Sequence, residues 1–185
     1  MKIICNTARL NEACQNVQRA VSSKATMPAI EGILMKAASG QVQLTGYDME
    51  MGITTVQEAR VEEEGAIVLN ARLLCDILRR LPGETVSIEA DPRQLCTIRC
   101  GEVEYELVGI DAKDYPELPT VTEEVPVIID SETLEKMVKQ TIFAVSTNDT
   151  KVVHTGIKFE VSENTLKLIA VDGFRPVSYT HLRAH

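Results

Sequence analysis

Residues 71–81 set three arginines (Arg72, Arg79, Arg80) against one aspartate, Asp76, and residues 7–22 set Arg9 and Arg19 against Glu12. Guanidinium groups on helix faces need no catalytic centre to hold phosphate oxygens through charge-assisted hydrogen bonds. The whole chain, 185 residues, carries a formal net charge of −8. That argues against general coating of nucleic acid or anionic membrane, but not against a few cations gathered on one surface. Outside the helices the chain is acidic, with Glu58, Glu62 to Glu64, Glu84, Glu89, Asp91, Glu102, Glu104 and Glu106. Other chemistries fare worse. Cys96 and Cys100 with the remote His154 lack the Cys-x2-Cys spacing of common zinc sites, and both cysteines fall in or beside a strand pattern. No two carboxylates form an acid/base pair in an apolar setting, and no glycine-rich phosphate loop occurs. The expectation is no catalytic centre, no metal and no cofactor.

Periodicity supplies the elements that must carry those arginines. Ile3–Cys5 reads as a strand. Asn6-Thr7 caps a helix whose apolar positions are Leu10, Cys14, Val17 and Val21. Ser22 to Pro28 is a loop. Ile33, Met35 and Ala37, then Val42 and Leu44 across Ser39-Gly40, make a hairpin. A third strand follows through Ile53 and Val56, and the run Glu62-Glu63-Glu64-Gly65 reads as a solvated turn before Ala66–Leu69. Asn70 caps a second helix with Leu73, Leu74, Ile77, Leu78 and Leu81 inward, stopped by Pro82-Gly83. Strands are expected around Val86–Ile88, Leu95–Ile98 and Val103–Leu107. Asp111 to Glu124, with Pro116 and Pro119, reads as a connection. The order gives an α+β fold with antiparallel sheets.

Residues 3–48 then lie over residues 127–172 at a constant offset of 124, with ten identities, among them Leu10/Leu134, Ser22/Ser146, Gly32/Gly156 and Asp48/Asp172. That period is a domain length, since solenoid repeats run to roughly 20–50 residues. The second copy is expected to repeat the strand (Val127–Ile129), cap (Asp130-Ser131), helix (Leu134, Met137, Val138, Ile142), loop and hairpin. We expect a complete domain over 1–122, a truncated copy over 123–175, and a chain that is a fragment of a longer protein. Five cysteines in apolar or unpatterned positions point to reduced thiols in the cytoplasm. No apolar run approaches a bilayer-spanning length, so no membrane association is expected.

Several of these segments, taken in order, resemble one family. They include Arg19-Ala-Val-Ser-Ser-Lys-Ala-Thr-Met-Pro, Leu44-Thr-Gly-Tyr-Asp-Met-Glu-Met, Asn70-Ala-Arg-Leu-Leu, Asp114-Tyr-Pro-Glu-Leu-Pro, Phe143-Ala-Val-Ser-Thr and Ala170-Val-Asp-Gly-Phe-Arg. Together they resemble the bacterial DNA polymerase III beta subunits, the sliding clamps. The resemblance implies the DNA-clamp fold: repeated domains, each with two helices packed on antiparallel sheets, closing head to tail as a homodimer ring. It implies a non-catalytic processivity factor that encircles duplex DNA without reading its sequence and tethers the polymerase III alpha subunit. The clamp loader and other proteins bearing a clamp-binding motif are further implied partners. The alternative is a duplicated protein-interaction module without DNA encirclement.

Position by position, the resemblance implies DNA contacts at Lys24, Arg72 and Asn148, with Val152 and Val153 where some members have aromatic residues. Ile77, Tyr105 and Leu107 match the subunit interface. His154, Val171, Gly173, Phe174 and Arg175 match the first wall of a peptide cleft. From Pro176 the sequence departs from the family's strand, so residues 176–185 are expected to be a non-native tail. No function falls on His181 or His185.

Overall fold

The computed structural model describes residues 1–22, 27–119, 127–162, 165–173 and 176–182. The chain divides into two compact units, Met1–Thr120 and Val121–His185.

The first unit begins with β1 (Lys2–Asn6) and α1 (Thr7–Gln18). It continues through β2 (Gly32–Ala38), β3 (Gln41–Tyr47), β4 (Gly52–Glu58), β5 (Arg60–Glu63), β6 (Gly65–Asn70) and α2 (Ala71–Leu78). It ends with β7 (Thr85–Ala90), β8 (Leu95–Cys100) and β9 (Val103–Val108). Two antiparallel sheets result, ordered β5-β1-β7-β8-β9 and β4-β3-β2-β6. One core joins both sheets and both helices: Ile3 from β1, Leu10, Cys14 and Val17 from α1, Ile33 and Met35 from β2, Leu74 and Leu78 from α2, Ile88 and Ile98 from β7 and β8. Each such side chain contributes about 1.5–3 kcal/mol by leaving water. The helices end up fixed side by side because both present an apolar stripe to this core.

Two expectations for this unit change. The acidic run is not a free turn, because Arg60–Glu63 pairs with β1 as the edge strand β5. Charged side chains on an edge strand face water while its backbone completes the sheet. The stretch from Asp111 is likewise part of the unit. Tyr115 is buried with Ala29, Leu34, Tyr47 and Val68 on the other face of the four-stranded sheet, and its hydroxyl donates to the Thr45 carbonyl at 3.3 Å. That explains why β2 is buried on both faces rather than alternating.

The second unit contains α3 (Ser131–Lys139), β10 (Lys158–Ser162), β11 (Thr165–Val171) and β12 (Pro176–Leu182), with one sheet ordered β10-β11-β12. The duplication is visible in its register. β2 pairs Leu34 with Thr45, and β10 pairs Lys158 with Ile169. β3 pairs Tyr47 with Gly52, and β11 pairs Val171 with Pro176. Each pair maps onto its counterpart by adding 124. The caps correspond too: Asn6 accepts from the Arg9 amide and Asp130 from the Thr133 amide, each at 3.0 Å. Met49 and Gly173, also 124 apart, both hold positive φ, 78° and 95°.

Three expectations for this unit are corrected. Val127–Ile129 forms no strand, and Val127 and Ile128 are exposed. Its template β1 is held between β5 and β7, and no strand pairs with 127–129 among the described residues. The helix ends at Lys139, short of Ile142, where the Thr141 hydroxyl bonds back to the Met137 carbonyl at 2.9 Å and a 3-10 turn follows. Such back-bonding competes with the helical ladder. Lastly, the strand pattern does not break at Pro176: residues 176–182 form β12, the counterpart of β4. No residue is shared between the two, but half-buried Val177 and Tyr179 alternate with exposed neighbours as Ile53 and Thr55 do. A strand needs that period, not identity.

Candidate nucleic-acid interface

The arginines sit where helix geometry puts them. In α1, Leu10, Ala13, Cys14 and Val17 are buried, so Arg9, Glu12, Gln15 and Asn16 face water, with Arg19 at the C-cap. In α2, Asn70 caps the start by accepting from the Leu73 amide at 3.0 Å. Leu74, Cys75 and Leu78 turn inward, which leaves Arg72, Arg79 and Arg80 exposed. A gap of about 350 Å³ separates the end of α1 from the start of α2, lined by Gln18, Val21, Ser22, Glu31, Asn70, Ala71 and Arg72. Arg72 thus faces Val21 and Ser22 across this gap. Lys24 itself lies outside the described residues.

Pairing differs between the two helices and the strands of the five-stranded sheet. Among the described residues, Arg9, Arg19, Arg72 and Arg80 make no ion pair, while Arg79 is held by Asp76 at 2.7 Å. The cations in the strands of the five-stranded sheet are all paired: Lys2 with Glu62 and Glu89, Arg60 with Glu62, and Arg99 with Glu89 and Glu104. Guanidinium groups without an internal carboxylate are free to meet an external anion. Groups that are exposed and spread over two helices attract a phosphate backbone at long range without fixing a base register.

In the second unit, Asn148 is exposed and caps a 3-10 segment, accepting from the Thr150 amide at 3.0 Å and from the Thr150 hydroxyl. Val152 and Val153 project into solvent, 75% and 85% exposed. A pocket of about 290 Å³ gathers Ser146, Asn148, Thr150, Lys151, His154, Asp172 and Gly173. A Cβ on Gly173 would lie 3.7 Å from His154 Nδ1, an ordinary contact, while the positive φ at this position favours glycine. Val171, at the end of β11, is half-buried and does not line it. Phe174 and Arg175 lie outside the described residues. Sequence reasoning missed Ser146, Thr150, Lys151 and Asp172 as pocket residues, although three of them are repeat identities, Ser22/Ser146, Thr26/Thr150 and Asp48/Asp172.

Ile77 and Leu107 are partly buried against the main core, on α2 and β9. Tyr105, two residues before Leu107 on β9, is 37% exposed. β9 is an edge strand among the described residues, so Tyr105 and Leu107 share one face at a border that no described strand pairs with.

The cysteines offer no nucleophile. All five are free and buried. Burial pushes the Cys5 and Cys75 thiols to about 11 and Cys96 to about 12. No group of three or more metal-ligating side chains occurs among the described residues, and no helix there is long and apolar enough to cross a membrane.

Comparison with known proteins adds the following. Residues 1–119 match the family model of the DNA polymerase III beta subunit N-terminal domain, and residues 128–183 match its central domain. The beta sliding clamp of Bacillus subtilis is 36% identical over 183 residues, which covers 95% of this chain and 48% of that relative. A crystal structure of the Bacillus subtilis sliding clamp superposes with a TM-score of 0.95 at 34% identity, covering 99% of this chain and 50% of that one. A clamp from Bartonella birtlesii, solved bound to griselimycin, superposes at 0.91 with 26% identity, covering all of this chain and 50% of that one. The chain therefore spans about half the length of the relatives it matches.

Proposed function

We propose that this chain, which belongs to the DNA polymerase III beta subunit family, is the N-terminal part of a sliding clamp, a non-catalytic processivity factor of the replicative polymerase. The observation that carries the reading is the charge partition of the first unit. Four exposed helix arginines have no ion pair among the described residues, while the cations in the strands of the five-stranded sheet are neutralised in place. A ring lined by such helices retains duplex DNA topologically and slides, because its contacts are few, long-ranged and aimed at phosphates. Holding polymerase at the primer end raises its effective concentration there, with no chemistry of its own.

In this reading Arg72, Lys24 and Asn148 meet the DNA. Val152 and Val153 cannot stack on bases, which removes a single-strand contact that an aromatic pair would make. Ile77, Tyr105 and Leu107 form part of the border with a second subunit of a homodimer ring. His154, Val171, Gly173, Phe174 and Arg175 form one wall of a cleft for short peptide motifs of the polymerase alpha subunit, the clamp loader and other partners. The working compartment is the cytoplasm, with no membrane contact.

The test uses the full-length protein loaded on a nicked circular plasmid by its loader. Linearising the plasmid should release the protein, whereas the intact circle should retain it. A protein that never becomes trapped on the circle, or stays bound after linearisation, overturns the reading.

A further inference from the structure

An ion-pair ladder crosses the outer face of the five-stranded sheet, one strand at a time. Arg60 and Glu62 pair within β5 at 3.2 Å, and Glu62 reaches Lys2 of β1 at 3.4 Å. Lys2 reaches Glu89 of β7 at 3.7 Å, Glu89 reaches Arg99 of β8 at 3.6 Å, and Arg99 reaches Glu104 of β9 at 2.6 Å. From Glu62 onward the sign alternates with each strand in the order β5-β1-β7-β8-β9. The ladder stops on an acid, at the edge. Glu106, two residues further along the same face, has no ion pair among the described residues.

The backbone of β9 is oriented to continue the sheet. The Gly109 amide donates to the Gln94 carbonyl at 2.7 Å, in line with the register that pairs Leu95 with Val108. Antiparallel ladders alternate hydrogen-bonded and non-bonded pairs, so residues 103, 105 and 107 turn their N–H and C=O groups toward β8. Residues 104, 106 and 108 turn theirs outward. A strand added at this edge therefore forms its backbone bonds to Glu104 and Glu106. Residues opposite one another across an antiparallel pair share a face, with Cβ atoms about 4.5–5.5 Å apart, so two alternate side chains of the newcomer meet those two carboxylates. Acidic side chains there would set like charges directly opposite. Lysine or arginine would extend the alternation by one more strand. On the other face, the residue between them would cover half-exposed Tyr105 and reach toward Leu107 and Ile77.

We infer that the free edge of β9 is completed by an edge strand of a second subunit that carries lysine or arginine at two alternate positions, i and i+2. This rests on the subunit-border reading above and adds the chemistry of the partner strand. The test is the dimer dissociation constant of the full-length protein, measured by analytical ultracentrifugation at low and high salt, with melting temperature as the folding control. E104K/E106K should weaken the dimer by about 10-fold or more at low salt, the gap narrowing at high salt, and E104Q/E106Q should fall between it and the parent. An unchanged or tighter dimer in E104K/E106K overturns the basic-strand inference, leaving the carboxylates as guards against edge-to-edge aggregation. Glu106→Pro removes one outward N–H at an edge position that tolerates proline. If it breaks the dimer while the charge variants do not, the β9 border stands and only the partner's charge is wrong. If neither affects the dimer, border and charge both fall.

Discussion

Replacing Gly46 with alanine should loosen the helix pair that carries the arginines. Gly46 lies in β3 directly under the last turn of α1. A Cβ there would come within 2.4 Å of the Val17 carbonyl oxygen, 3.0 Å of Val17 Cγ1 and 3.1 Å of Val21 Cγ2. The nearest of these atoms is helix backbone, so no rotamer change relieves the clash and α1 must move off the sheet. Overpacking a core costs about 1–3 kcal/mol, and removing a glycine from a strand returns about 0.5–1 kcal/mol. Because the clash is with backbone at 2.4 Å, the overpacking cost falls in the upper half of its range, and the net loss is about 1–2.5 kcal/mol, a fall of about 3–12 °C in the melting of the first unit, read by scanning calorimetry. Amide exchange in α1 should rise alongside it. Gly156→Ala, where nothing lies within 4 Å, serves as the control and should stay within about 0.5 kcal/mol of the parent. A melting temperature for Gly46→Ala equal to or above the parent's would refute the claim that β3 and α1 are in close contact there.

Two further outcomes are expected. The Asp130 carboxyl is held below its ordinary range by the Thr133 amide. Its cap on α3 is therefore fully present above the unfolded-state value of about 4 and is lost as pH falls through the lower folded value. Amide protection in α3 should drop on acidification across that window, and Asp130→Asn should flatten the dependence. Secondly, the buried thiols should resist iodoacetamide at about pH 7.5 in the native protein, where burial keeps them out of reach, with all five modified in denaturant. Rapid native labelling of Cys14 or Cys96, read by mass spectrometry, would contradict their burial.

How much the residues disclosed varied with the physics of each element. α1, α2 and the first hairpin were legible as elements because caps and periodicity agreed with the fold, but their faces were less so: Leu73, expected inward on α2, is 51% exposed, and β2 is buried on both faces rather than alternating. β12 was not, since it keeps the alternation of β4 while sharing none of its residues, and identity is the wrong signal for a strand. The supposed strand at Val127–Ile129 shows the reverse: the residues suit a strand, but strands exist only with neighbours, and those of β1 arrive from far along the chain. Acidic composition hid β5, whose glutamates are consistent with an edge. Among the candidate residues, Arg72 was legible from the Asn70 cap and the helix period, while the outward pairing state of Glu104 and Glu106 needed the register. The pocket around His154 is gathered from residues 146–154 and 172–173, a juxtaposition that no periodicity reveals.

The central claim is that the exposed arginines of the two helices, together with Lys24 between Ser22 and Pro28, face a phosphate backbone. Its most direct test is DNA retention by the full-length protein over a salt series, comparing the parent with Lys24→Glu/Arg72→Glu. The variant should retain less DNA at every salt, and its log–log salt slope should be shallower by about 0.9 for each phosphate that is no longer neutralised. Equal retention with an equal slope would contradict the account.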